Sequence, residues 1–244
     1  MMKCIEQLRS RIHLVINGVF KKSRKKPVPD YFEQLKAELP TMMRLSQSGG
    51  ANGFFAQEAL RFYSIAGTLL SVEEFALDKT SSVDERYLTH VLSRSLLENY
   101  FTIIYLFDDP SQTAARYDEL KNTFKEDYRK LMNDLNAPSW QNFMQTHKAQ
   151  LEPVDPTWTQ AKGLPNVNDM LVKLRNDYSD RLSYLYPVYR ISSFDTHGRS
   201  LGTIFEAVFG KKCNFPVLNI KYAFELIANQ YLVVLNDLRK SGAI

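Results

Sequence analysis

Apolar side chains recur three and four positions apart along most of the chain, and the places where that rhythm fails divide it into elements. Ile5, Leu8, Ile12, Val15 and Val19 make a first helical stripe, which Pro27 and Pro29 end. Asp30 is placed to cap the next helix, YFEQLKAELPTMMRLSQ, with Pro40 ending or kinking a turn. SQSGGANG reads as a flexible link before a long helix over 54–77, and Ser81 or Ser82 caps another over 84–107. DDPSQ stops that helix, and Pro110 starts a polar amphipathic one that reaches Leu135.

From 136 to 168 the pattern weakens. Five Pro and Gly positions leave room for one short helix near 140–150 and an ordered excursion that Trp158 docks. Helical spacing returns over 167–184 and Pro187 interrupts it. The polar stretch YRISSFDTHGRSLG follows, then a short helix through Phe209, a turn at GKKCNFP and a final apolar helix, VLNIKYAFELIANQYLVVLNDLRK. No set of strands with period-two alternation and no internal repeat is present. The reading is an all-α, irregular multi-helix bundle of about eight helices. Residues 1–29 form a peripheral basic amphipathic helix and 30–244 a single helical domain with an irregular excursion at about 136–168.

Charge changes this picture at one end. Met1 to Lys26 holds eight Lys and Arg against Glu6 alone, while the rest of the chain has 23 basic and 26 acidic residues. The basic patch of Lys21, Lys22, Arg24, Lys25 and Lys26 follows the apolar stripe, the reverse of a secretory signal, in which the charges come first. The first expectation is a packed helix with a solvated basic end; the other is RNA or a membrane surface contacted through residues 1–26, and deleting that segment would then remove most salt-dependent affinity. No run of eighteen apolar residues predicts a transmembrane span. Cys4 and Cys213 belong to no CxxC or Cys/His cluster, which points to a reducing, cytoplasmic setting without a disulfide framework or zinc site. No cofactor is indicated: GxGxxG, GKS or GKT, GxSxG and HExxH are all missing.

Candidate chemistry lies in polar residues on apolar helices. His90, Arg94 and Glu98 fall one turn apart on DERYLTHVLSRSLLENYFTIIYLF, and Glu58 and Arg61 of the preceding helix are placed to face that line. Together with Tyr189 and Ser193 they predict either a structural ion-pair seam or a binding groove. A metal held by Glu58, Glu98, His90 and His197 lacks the ExxH pair that bundle carboxylate sites use, so none is expected. Arg190 and His197, with Asp195 holding the imidazole, form the minimum set for RNA cleavage without a metal. The competing reading is a helix-connecting histidine hydrogen-bonded to backbone or to Asp195.

Arg94 and Glu98 in RSLLENYFTIIYL, Arg116 in ARYDELK, and YRISSFDTHG together resemble a bacterial all-helical family of unknown function, with an RxxxE helix and a late tyrosine-serine-histidine segment. The similarity covers about Phe54 to Leu238. More distantly, Arg190 and His197 resemble the Arg and His motif of the HEPN superfamily, with Ile191 where that motif is commonly polar and Pro187 just upstream. That resemblance implies a metal-independent ribonuclease of toxin or phage-defence type, acting as a dimer. Against it stands a noncatalytic binding or regulatory factor with an RNA or protein partner. The apolar final helix offers either one a homodimer contact.

Overall fold

The computed structural model describes residues 30–71, 83–158, 162–199, 201–213 and 218–244. Among these residues there are ten α-helices and no strand. They are α1 (Tyr31–Ala37), α2 (Leu39–Leu45), α3 (Gly50–Ser71), α4 (Val83–Phe107), α5 (Thr113–Leu135), α6 (Gln141–His147), α7 (Val167–Val172), α8 (Ser179–Thr196), α9 (Leu201–Phe209) and α10 (Ile220–Lys240). The predicted N-terminal helix and the basic residues Lys21, Lys22, Arg24, Lys25 and Lys26 lie outside the described residues. No helix among those described is long and apolar enough to cross a membrane.

The core is built around α10, whose Phe224, Ile227, Tyr231 and Leu235 are buried. Tyr231 meets Phe55 edge-on at 5.9 Å and Phe62 at 5.3 Å, and Phe62 also meets Phe224 at 5.9 Å. These rings join α3 to α10 through edge-to-face contacts, which aromatic quadrupoles favour. Most of the apolar side of α10 is therefore buried within this chain. The C-terminal half of α4, from Leu96 to Leu106, lies against the same core, whereas its first turns carry exposed Tyr87 and Leu88. Glu225 of α10 accepts the backbone N–H of Phe32 at 3.1 Å, and Asp30 accepts that of Glu33 at 3.0 Å, so two carboxylates satisfy the first turn of α1.

Three boundaries differ from the pattern reading. Pro40 is the second residue of α2, where a missing N–H costs nothing, and the break falls before it at Glu38. The expected link SQSGGANG is a tight helix start: Gly50 has φ +73°, and a Cβ on Gly53 would lie 1.8 Å from the Ser48 carbonyl oxygen. Pro187 lies inside α8, and the real interruption comes earlier, between α7 and α8. There Asp108 accepts the backbone N–H groups of Arg175 at 2.7 Å and Asn176 at 3.0 Å, donors that a continuing helix would have used.

Candidate functional site

Helices α4 and α8 run antiparallel and share a polar seam. Spacing dictates it: His90, Arg94 and Glu98 repeat every four residues on α4, and Leu185, Val188, Tyr189, Ser192 and Asp195 are the buried positions of α8. At the seam's middle, the Arg94 guanidinium carbon stacks 3.4 Å above the centre of the Tyr189 ring. Its Nη1 donates to the Tyr189 carbonyl at 2.7 Å and its Nε to Glu98 Oε1 at 2.9 Å. Arg94 is thus buried with its charge answered by a ring face, a carbonyl and a carboxylate. Glu98 keeps 52% of its side chain in water, so the ion pair opens to solvent on that side.

Toward the start of α4, His90 Nδ1 lies 2.6 Å from Asp195 Oδ2, and Asp195 Oδ1 accepts the Leu201 N–H at 2.7 Å. Because a carboxylate only accepts, His90 must donate from Nδ1, which leaves Nε2 as the free ring nitrogen. Burial pushes the Asp195 carboxyl up, but the hydrogen bonds from His90 and Leu201 outweigh it and hold the group below its usual range. A histidine oriented by a carboxylate is the arrangement of an acid–base pair. Here both members of the pair are buried, and both oxygens of Asp195 are occupied. Ser93 Oγ and Arg86 Nε on the same helix are buried without a hydrogen-bond partner among the described residues.

The expected partnership of Asp195 with His197 is therefore corrected. Asp195 faces inward to His90, 105 positions away in sequence, while His197 caps the end of α8 and is exposed. Gly198 has φ +67°, and the Arg199 N–H donates to the Phe194 carbonyl at 2.9 Å, which makes THG a helix stop. Arg190 and His197 both stand in solvent on one side of α8, seven residues or about 10 Å of helix apart. The Ser193 hydroxyl turns back to the Arg190 carbonyl at 2.6 Å.

Glu58 and Arg61 do not join the Arg94 line either. Glu58 accepts from Asn99, one position round α4 from Glu98, and from Arg61 of its own helix. Burial raises the Glu58 carboxyl above its ordinary range against the pull of Arg61 and Asn99. The predicted groove of His90, Arg94, Glu98, Glu58, Arg61, Tyr189 and Ser193 is thus divided between two faces of α4, and its buried members fill the space between the helices. No three His, Cys, Asp or Glu side chains gather as a metal site among the described residues.

A second arginine repeats the Arg94 device. Arg116 of α5 stacks 4.5 Å from the centre of the Tyr105 ring and donates to the Tyr105 carbonyl, with Asp108 Oδ2 at 3.8 Å. The DDPSQ stretch, read only as a stop, is the clamp that gathers α5, the 174–178 loop and the end of α4.

The surface that sequence reasoning missed is α9. Three of its apolar residues, Ile204, Val208 and Phe209, are 49%, 66% and 61% exposed, while Leu201 and Phe205 are half-buried. Arg199 precedes it, Lys211 and Lys212 follow it, all three exposed and in no ion pair among the described residues, against Glu206 alone. Phe194, also exposed, lies at the end of α8 beside it in sequence. The signal was present as apolar spacing between cations, but a short helix through Phe209 reads equally well as core. By contrast, the other exposed aromatic surface, Phe124, Trp140 and Phe143, shares its faces with Lys121, Arg129 and Lys130, which are paired with Asp118, Glu126 and Asp127.

No protein-family model, curated protein or solved structure matches the chain.

Proposed function

We propose that the chain is a noncatalytic helical binding protein that docks the α8–α9 end of its bundle on a polyanionic partner. The observation that carries this reading is the set of exposed cations Arg199, Lys211 and Lys212, in no ion pair among the described residues, flanking the exposed Ile204, Val208 and Phe209 of α9. The His90–Asp195 pair, though oriented as an acid–base pair would be, is buried between α4 and α8. Free cations facing a charge-dense partner release its counterions on binding, so affinity falls steeply with salt. The test is a salt titration of polyuridylate binding in a full-length background in which Lys21, Lys22, Arg24, Lys25 and Lys26 are glutamine. Adding Arg199→Gln, Lys211→Gln and Lys212→Gln flattens the slope of log affinity against log salt by about two units on this reading. An unchanged slope would overturn it.

A second reading is the ribonuclease that the HEPN resemblance implies. The exposure of Arg190 and His197 on one side of α8 favours it. Cleavage of RNA in EDTA that His197→Ala abolishes would install it.

A further inference from the structure

We infer that α9 is a membrane-surface anchor whose partner is a bilayer carrying anionic lipid; this rests on the polyanion reading above. A charge-dense partner alone explains Arg199, Lys211 and Lys212 but gives no use for aliphatic side chains held in water. Ile204 and Val208 are one turn apart and both exposed, with Phe209 beside Val208 at the helix end. A nucleic acid stacks its bases on flat rings and gains little from isoleucine or valine. A lipid surface takes both halves of the patch: apolar side chains enter the boundary between headgroups and acyl chains, and flanking cations meet lipid phosphates and carboxylates. The nine residues of α9 are about 13 Å long, so the helix can lie in the interface with its cations at both ends.

A second copy of the chain fits worse. Antiparallel packing of two α9 helices would set Arg199 of one against Lys211 and Lys212 of the other, and parallel packing would set like against like. Glu206 is the only acidic residue of the helix, so either arrangement places cations opposite cations at its rim. The tether is also suited to a docking role: α9 is held at its start by Leu201 N–H on Asp195, and Asp195 is held by His90.

The experiment is flotation of the full-length chain, again with glutamine at Lys21, Lys22, Arg24, Lys25 and Lys26, on two vesicle types. One is phosphatidylcholine alone and the other equal parts phosphatidylcholine and phosphatidylserine. Binding is expected only to the second. Lys211→Glu with Lys212→Glu weakens it about tenfold or more, and Ile204→Ser with Val208→Ser weakens it by a similar factor. All four side chains are exposed, so both variants keep the wild-type Tm. As a depth probe, Phe209→Trp emission is quenched by vesicles with brominated acyl chains, whereas emission from Trp140 and Trp158 in the parent is not. If the lysine variant loses vesicles and polyuridylate alike while the serine variant binds as the parent does and no quenching is seen, the lipid anchor is overturned and the polyanion reading stands. If the lysine variant changes binding to neither probe, both are overturned.

Discussion

At residue scale, the fold's buried charges have opposite titration signs. The Asp195 carboxyl is held low by His90 and Leu201, so its stabilisation is present above the unfolded aspartate value of about 3.9 and is lost as pH falls through the lower folded value. Asp195→Asn should lower stability at pH 7 by about 2 kcal/mol, because one buried charge-assisted hydrogen bond becomes neutral. Urea midpoints across the acid range should then fall less steeply for the variant than for wild type. Glu58 behaves in reverse. Burial raises it, so the folded state holds its proton more tightly, and stability is lost as pH rises from the unfolded value through the folded one. Glu58→Gln should remove that loss, visible as a smaller drop in urea midpoint between acid and neutral pH. The polar line of His90, Arg94 and Glu98 was legible in sequence because four-residue spacing fixes which side chains share a helix face. Their partners were not. Asp195 stands two positions from His197 in the chain, yet a helix sends residues two apart to opposite sides, and the imidazole it meets comes from α4.

At the scale of elements, two glycines and one carboxylate set boundaries that apolar periodicity does not show. Gly53→Ala should be among the most damaging single changes, since its Cβ would collide with the Ser48 carbonyl; a fall in Tm of many degrees is expected, and a neutral result would contradict the tight start of α3. Gly198→Ala should cost about 1 kcal/mol, the strain of a left-handed residue with a Cβ, read in a urea titration. Pro187 illustrates the opposite error. A proline removes one helical donor and usually breaks the run, but α8 continues because Leu185, Val188, Tyr189, Ser192 and Asp195 are all buried against its neighbours. The interruption between α7 and α8 arises instead from Asp108, 67 positions before the Arg175 N–H that it captures. Such long-range capture leaves no local trace in sequence.

At the scale of the whole molecule, fold class followed from spacing, because a chain with helical rhythm and no period-two alternation has only helices with which to bury its apolar faces. Which helix is central followed too: α4, apolar around most of its circumference, packs against α3, α5, α7, α8 and α10; the aromatic contacts by which α10 meets α3 were hidden. The net negative charge of the chain beyond Lys26 likewise concealed a local cation cluster, because totals say nothing about which charges pair. Acids and bases along α5 pair with each other, and the cations flanking α9 form no ion pair among the described residues. On the proposed function, this end of the molecule docks rather than cuts. The most direct measurement is the integrity of mixed cellular RNA incubated in EDTA with wild type and with His197→Ala, at matched concentration and oligomeric state. A docking protein leaves the RNA intact in both incubations. Cleavage by wild type that His197→Ala abolishes would contradict it and make Arg190 and His197 the active site.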